Sequence, residues 1–308
     1  MIIMIEINNI HKERKSAKRR AVIIDDVSLS VPQGVIYGIV GGNGAGKTTL
    51  LNCIAGTDKE FTGSIKVDGK DIRVINKVPN VIGYVQDDFT AFPYLTAREY
   101  FDYLGDVAGL SEKVKADRTK MLFEMFELSA HANKRLSMFS KGMSQKLVIA
   151  SVLYGNPKVI LMDEPTSNLD VDAKEELKEA FVKIKNSGKT VIMSTNSFFD
   201  VENYCDIVGL LANGKITSQF SVKDIIDSEK SGARLYTDEM SFIKLKEFTS
   251  GMEDLKLLRR GKGVTLTSDI RTPSELMGIV EASGISYDGL SAYKESFKEA
   301  FLREVSEK

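Results

Sequence analysis

The chain has 308 residues, room for one large domain and a smaller one, and 43% of them are hydrophobic, so a sizeable core is expected. Lys+Arg number 42 against Asp+Glu 43, a net charge of −1, which argues against a general nucleic-acid binder. No apolar run approaches the roughly 18 residues of a membrane helix, so a membrane role is expected to come through a partner. The opening Met1-Ile2-Ile3-Met4-Ile5 is short and has no basic flank, and it reads as the start of a strand over 4–7 rather than a secretion signal. Six of the nine residues in 12–20 are Lys or Arg, a run that reads as a solvated hairpin loop, with contact to anionic lipid or nucleotide phosphate as the alternative. Short strands at 22–24 and 27–31 end in the turn Pro32-Gln33-Gly34.

An apolar strand at 35–40 then enters Gly41-Gly42-Asn43-Gly44-Ala45-Gly46-Lys47-Thr48, with Thr49 behind it. This fits the phosphate-loop pattern G-x-x-x-x-G-K-[ST] at every fixed position. Glycines let backbone N–H groups close around phosphate oxygens, Lys47 reaches the β- and γ-phosphates, and the Thr48 hydroxyl is a ligand for Mg²⁺. A helix over 48–55, ended by Gly56, aims its positive dipole end at the same place. Cys53 in this helix and Cys205 further on sit in apolar surroundings and read as packing residues of a reduced, cytoplasmic protein.

Residues 63–69 alternate as a half-exposed strand, and 81–85 form another that runs into Gln86-Asp87-Asp88, polar groups at a strand end. Thr96 with Glu99 three residues on is a capping box for a helix to about 105. In 114–128, Met121, Leu122, Met125 and Phe126 recur at helical spacing and are expected in the core. Residues from about 90 to 155 therefore read as a helical insert. Within it, Phe139-Ser140-Lys141-Gly142-Met143 precedes an apolar helix to 154, a second anion-binding device at a helix N-terminus. The apolar strand 159–162 ends in Asp163-Glu164-Pro165-Thr166, the second half of an ATPase site: Asp163 would hold Mg²⁺ through water and Glu164 would act as general base on the attacking water. Ser167-Asn168-Leu169-Asp170 follows, then a helix over 172–186 with Leu177, Ala180, Phe181 and Ile184 inward, and buried strands at 190–194 and 207–211. The tail shows a strand at 264–267 and helices at 274–282 and near 295–302, with no metal or nucleophile cluster, and reads as a packing domain.

The order and spacing of these four motifs resemble the ATP-binding subunits of ABC transporters, over about residues 4–220. The resemblance implies an α/β fold, a P-loop NTPase of ABC ATPase type with an antiparallel β edge, a helical subdomain and a small α/β C-terminal extension from 221 to 308. It implies ATP and Mg²⁺ as ligands, and two such subunits, identical or different, closing head to tail, so that Ser140 and Gly142 contact the γ-phosphate bound by the opposite protomer and Asp170 lies at the seam. Ser-x-Gly-Met in the signature, Phe92-Pro93-Tyr94-Leu95-Thr96-Ala97-Arg98-Glu99 and the Phe-Leu helix of the tail are similar to the drug and peptide-antibiotic exporter branch. A separate integral-membrane permease is then the expected partner, at the inner face of the cell membrane. The rival is a soluble ABC ATPase switching a macromolecular partner such as a ribosome or DNA. One nucleotide domain, no long coiled coil and no net basic charge count against it.

Three positions depart from the family pattern. The adenine-stacking aromatic is replaced by about Arg14, since no Phe, Tyr or Trp precedes Tyr37. The loop glutamine falls at Asp87, with Gln86 one residue early, and either could reach Mg²⁺ and the water. The switch histidine is Asn196, whose neutral amide is expected to preserve ATP contact but slow hydrolysis.

Overall fold

The structure, a computed structural model, describes residues 2–16, 19–75, 81–86, 92–167 and 169–306. The chain forms two compact units, Met1–Val222 and Lys223–Lys308.

The first unit is built on two sheets. Strands β1 (Ile3–Ser16) and β2 (Arg19–Pro32) pair antiparallel and, with β4 (Thr62–Val67) and β5 (Lys70–Asp71), give the order β2-β1-β4-β5. Of the basic run at 12–20, residues 12–16 and 19–20 are strand rather than loop. The two separate strands read at 22–24 and 27–31 are one. No glycine or proline breaks the segment before Pro32, and the gap between the two expected strands is a register shift in the ladder, where Asp26 takes φ 57°.

The second sheet has β3 (Ile36–Val40), β6 (Ile82–Val85), β7 (Val159–Asp163), β8 (Thr190–Thr195), β9 (Ile207–Ala212) and β10 (Lys215–Ser221), in the order β10-β9-β3-β8-β7-β6. All neighbours pair parallel except β10 with β9. β3, β7 and β8 are buried at every position, as strands covered on both faces must be. Helix α1 (Lys47–Ala55) lies between the sheets, and its Leu50, Leu51, Cys53 and Ile54 join Ile5 and Ile24 of one sheet to Ile39 and Leu161 of the other. Burial pushes the Cys53 thiol up to about 12, and both cysteines are free and buried.

Between β6 and β7 stand α2 (Ala97–Val107), α3 (Glu112–Met125) and α4 (Lys141–Tyr154). The Thr96–Glu99 capping box is present. Phe101 packs edge-on against Phe123 at 5.0 Å and Tyr154 at 5.3 Å. The face of α3 differs from the expected one: Met121 is 51% exposed, while Leu122, Phe123 and Phe126 are buried. The buried stripe starts at Lys115, whose stem is inside while its ammonium pairs with Asp106 and Glu112, each at 2.6 Å. A lysine on the inner face hides the stripe from a reading of apolar residues. Helices α5 (Val171–Asn186) and α6 (Phe198–Tyr204) complete the unit, with Leu177, Ala180, Phe181 and Ile184 buried.

Helix α7 (Val222–Asp227) leads into the second unit. There β11 (Ser231–Tyr236), α8 (Glu239–Phe248), β12 (Leu255–Arg260), β13 (Gly263–Ser268), α9 (Pro273–Ala282) and β14 (Asp288–Lys294) follow in order, then α10 (Phe297–Ser306). The sheet order β12-β13-β11-β14, antiparallel throughout, makes this a ferredoxin-like split β-α-β unit. Among the described residues no helix is long and apolar enough to cross a membrane.

Candidate nucleotide site

The functional side chains gather where an open parallel sheet collects ligands, beyond the carboxyl ends of its strands. Loop 41–46 leaves β3, Asp163 and Glu164 end β7, and Asn196 follows β8. Packing fixes two of the loop glycines. A Cβ on Gly41 would stand 2.4 Å from the Leu211 carbonyl oxygen, and Gly46, the N-cap of α1, has φ +105° and would push a Cβ to 2.8 Å from Ile24. At Gly42 a Cβ would meet no protein atom within 4 Å, so its glycine answers to something other than the protein's own packing.

Lys47 is 7% exposed. Its Nζ donates to the carbonyls of Gly41 at 2.9 Å and Gly42 at 3.3 Å and lies 3.2 Å from Glu164 Oε1. The Glu164 backbone is left-handed, φ 47°, an uncommon state for a residue with a side chain and one that costs on the order of 1–3 kcal/mol. It is held there by its N–H, which donates to Ser194 O and Ser194 Oγ, each at 3.1 Å, and by its carbonyl, which accepts from the Ser167 N–H at 3.0 Å. The other carboxylate oxygen, Oε2, accepts the Asn196 backbone N–H at 3.2 Å. Asn196 is exposed, and among the described residues its side-chain amide has no partner. Any residue except proline at 196 would therefore supply the contact to Glu164; what asparagine adds is only an exposed neutral amide. Asp163 is buried and accepts from the Ser194 hydroxyl.

Two supports were missed in the sequence. Ser194 donates to the Asp163 carboxylate and accepts the Glu164 main-chain N–H, and a small hydroxyl near the end of an apolar strand was a signal available to be read. Asp200, 1% exposed, accepts the hydroxyls of Thr166 and Thr195, each at 2.6 Å, and so ties the turn after Glu164 to the strand end before Asn196. Nothing in its local sequence marks it.

The remaining residues fall elsewhere. Thr48 is exposed and Thr49 partly buried at the start of α1; Asn43 and Gly44 are exposed and Ala45 donates its N–H to Gly42 O at 3.2 Å. Thr49 also borders a cavity of about 820 Å³ with Arg14, His11, Asn52 and Phe61, so the surroundings of Arg14 contain an aromatic that the N-terminal sequence lacks. Gln86 is exposed; Asp87 lies outside the described residues. Ser140, Gly142 and Asp170 line a separate cavity of about 610 Å³, to which no phosphate-loop residue contributes. Ser140 and Asp170 are both helix N-caps there, accepting from Met143 N at 3.2 Å and Ala173 N at 2.8 Å. A capping serine uses its acceptor and keeps its O–H to donate. Lys141 and Lys146 stand beside it, the latter buried and paired with Glu127 at 3.3 Å and Glu176 at 2.8 Å.

Comparison with known proteins identifies the family. Residues 24–167 match the family described as ABC transporter. The chain is 31% identical to the ABC transporter ATP-binding protein NatA of Bacillus subtilis over 251 residues, 81% of this chain and all of that one. It is 34% identical to the methionine import ATP-binding protein MetN 1 of Oceanobacillus iheyensis, over 72% of this chain and 68% of that one. Among solved structures, a dimeric post-hydrolysis state of the ATP-binding cassette MJ0796 bound to ADP and Pi superposes with a TM-score of 0.64 at 26% identity, covering 71% of this chain and 99% of that one. A phosphate loop after β3, a glutamate directly after β7 one strand further across the sheet, and similarity over 81% of the chain lead to one conclusion: the chain belongs to the ATP-binding subunits of ABC transporters, and it is an ATPase.

Proposed function

We propose that the chain powers a separate membrane permease of the exporter kind, as one half of a head-to-tail dimer at the inner face of the membrane, and hydrolyses ATP slowly. The observation that carries the dimer is the division of the site. Lys47, Asp163 and Glu164 form one cluster, and Ser140, Gly142 and Asp170 line a different cavity. A second copy, turned about a two-fold axis, brings one to face the other, with the free Ser140 O–H aimed at the γ-phosphate.

In this reading Lys47 exchanges its contacts with loop carbonyls and Glu164 for the β- and γ-phosphates. Phosphate binding at Lys47 thereby frees Glu164 Oε1 to take the proton of the attacking water. The Thr48 hydroxyl and the Asp163 carboxylate are hard oxygen donors suited to Mg²⁺, and no cluster of three or more His, Cys, Asp or Glu offers a metal cage among the described residues. When bound, the metal would neutralise charge on the β- and γ-phosphates. Asn196 can donate to a phosphate oxygen but cannot carry positive charge as the transition state gathers negative charge, which supports slow turnover.

The exporter reading rests on the Ser140-to-Met143 and Phe92-to-Glu99 segments; NatA and a methionine importer are both relatives. Docking to a permease is supported by an apolar patch on the helical insert, where Phe92 is 53%, Tyr94 84%, Tyr103 46% and Val107 70% exposed. Co-purification of a polytopic membrane protein with the wild-type chain, lost in Tyr94→Asp, tests that partner; recovery with a soluble complex instead would favour the switch reading.

A further inference from the structure

The sheet of the second unit packs one face against α8 and α9. Ala233, Leu235, Val264 and Leu266 point to α8 and α9 and meet Leu245, Leu276 and Val280. Alternation then sends their neighbours to the other face. There Arg234, Tyr236, Leu258, Arg260 and Tyr293, with Leu302 and Arg303 of α10, line a cavity of about 540 Å³, a size typical of small-molecule sites.

Its polar groups are unequal. Arg234 is fixed: its guanidinium lies 4.2 Å from the centre of the Tyr293 ring and 3.5 Å from Glu299 Oε1. Glu299 is itself held by the Tyr293 hydroxyl at 3.2 Å and the Ser296 N–H at 3.0 Å. Arg303 is fixed as well, between Glu295 at 3.1 Å, Glu304 at 2.7 Å and the Ser228 carbonyl at 2.8 Å. Both carboxylates of the cavity, Glu295 and Glu299, are thus answered by an arginine. Arg260 is the third guanidinium, and among the described residues its side chain has no partner. Around it the walls are apolar and uncovered: Tyr236 is 50%, Leu258 55% and Leu302 46% exposed.

We infer that this face binds a small organic anion, a carboxylate carried on a flat apolar body. The carboxylate pairs with Arg260 through the planar fork that suits it, and the body lies on Tyr236, Leu258 and Leu302. A cation is disfavoured because no carboxylate in the cavity is free. A nucleic-acid strand is disfavoured because α10 closes the cavity on one side and the chain as a whole carries a net charge of −1.

The test uses the full chain, with 2-naphthoate as probe and 2-naphthalenemethanol as its neutral counterpart, both titrated by calorimetry. The expected result is saturable binding of one naphthoate per chain, about tenfold or more tighter than the alcohol. Arg260→Gln should erase that difference while leaving the ATP affinity of the phosphate loop unchanged. Leu302→Glu, at a second exposed position, should weaken naphthoate more than the alcohol. The inference is overturned by equal affinity for acid and alcohol, by no saturation at millimolar naphthoate, or by wild-type naphthoate affinity in Arg260→Gln. Displacement of naphthoate by a short single-stranded oligonucleotide at micromolar concentration would also overturn it and assign the face to nucleic acid.

Discussion

The phosphate-loop cluster and the signature cavity sit in the same unit but are built differently. In the first, polar groups answer one another inside the chain: Lys47 to two loop carbonyls and Glu164, Glu164 to the Asn196 N–H, Asp163 to Ser194. In the second, Ser140 and Asp170 use acceptor oxygens to cap helices, and the Ser140 O–H left over faces a cavity of about 610 Å³. One region is chemically complete up to the substrate. The other has donors and no substrate-binding loop of its own. In the proposed dimer the difference divides the work: the self-contained cluster holds ATP, and the capped helix end, with its spare Ser140 O–H, acts on the phosphate held by the partner.

Breaking the first region should have the largest effect. Glu164→Gln keeps the shape and loses the base, so turnover should fall by about 10²–10⁴ while ATP still binds. Phosphate release and size-exclusion with Mg²⁺-ATP would read it, the variant accumulating as an ATP-bound dimer. Turnover near wild type would remove Glu164 from the chemistry.

Asn196→His sharpens the same region in the opposite direction. Histidine retains the backbone N–H to Glu164, so the variant isolates what the side chain does. Steady-state hydrolysis should rise, by up to about 10²–10³ if the imidazole recovers a full transition-state contact. Rapid wild-type turnover, unchanged in the variant, would mean that asparagine suffices.

Lys47→Ala removes the only side-chain cation of the loop, and nucleotide titration should show ATP affinity reduced by about tenfold or more. Wild-type affinity would place the phosphates elsewhere.

The smallest effect separates structure from function at the signature. Ser140→Ala loses the cap of α4 and should cost about 1 kcal/mol in stability. Ser140→Asp keeps a cap and adds negative charge. Thermal unfolding should therefore distinguish the two while both lower turnover and neither changes ATP affinity. If only the alanine variant is slow, the residue serves the helix alone.

Local features were legible in the sequence where one short stretch carried the whole instruction. The capping box at Thr96 and Glu99, the apolar strand ending at Asp163 and the inward face of α5 follow from spacing alone. Features that depend on a partner across the fold were not. The inner face of α3 was misplaced because Lys115 lies on it, its charge neutralised by Asp106 and Glu112. The strand β12 carries Lys256, Arg259 and Arg260, and only pairing with β13 explains why such a basic segment is a strand. At the site, residue types pointed to phosphate chemistry. The left-handed backbone of Glu164, the bridge of Ser194 from the Asp163 carboxylate to the Glu164 main-chain N–H and the main-chain character of the Asn196 contact are properties of three dimensions.

The head-to-tail division is the central claim, and complementation tests it most directly. Lys47→Ala damages the loop of every site it enters, and Ser140→Arg blocks the signature; each homodimer should be inactive. A mixed dimer contains one site made of an intact loop from the Ser140→Arg chain and an intact signature from the Lys47→Ala chain. Mixing the two purified variants with Mg²⁺-ATP, and with the permease present, should restore hydrolysis to about a quarter of the wild-type rate. A mixture no more active than its two components would contradict the account.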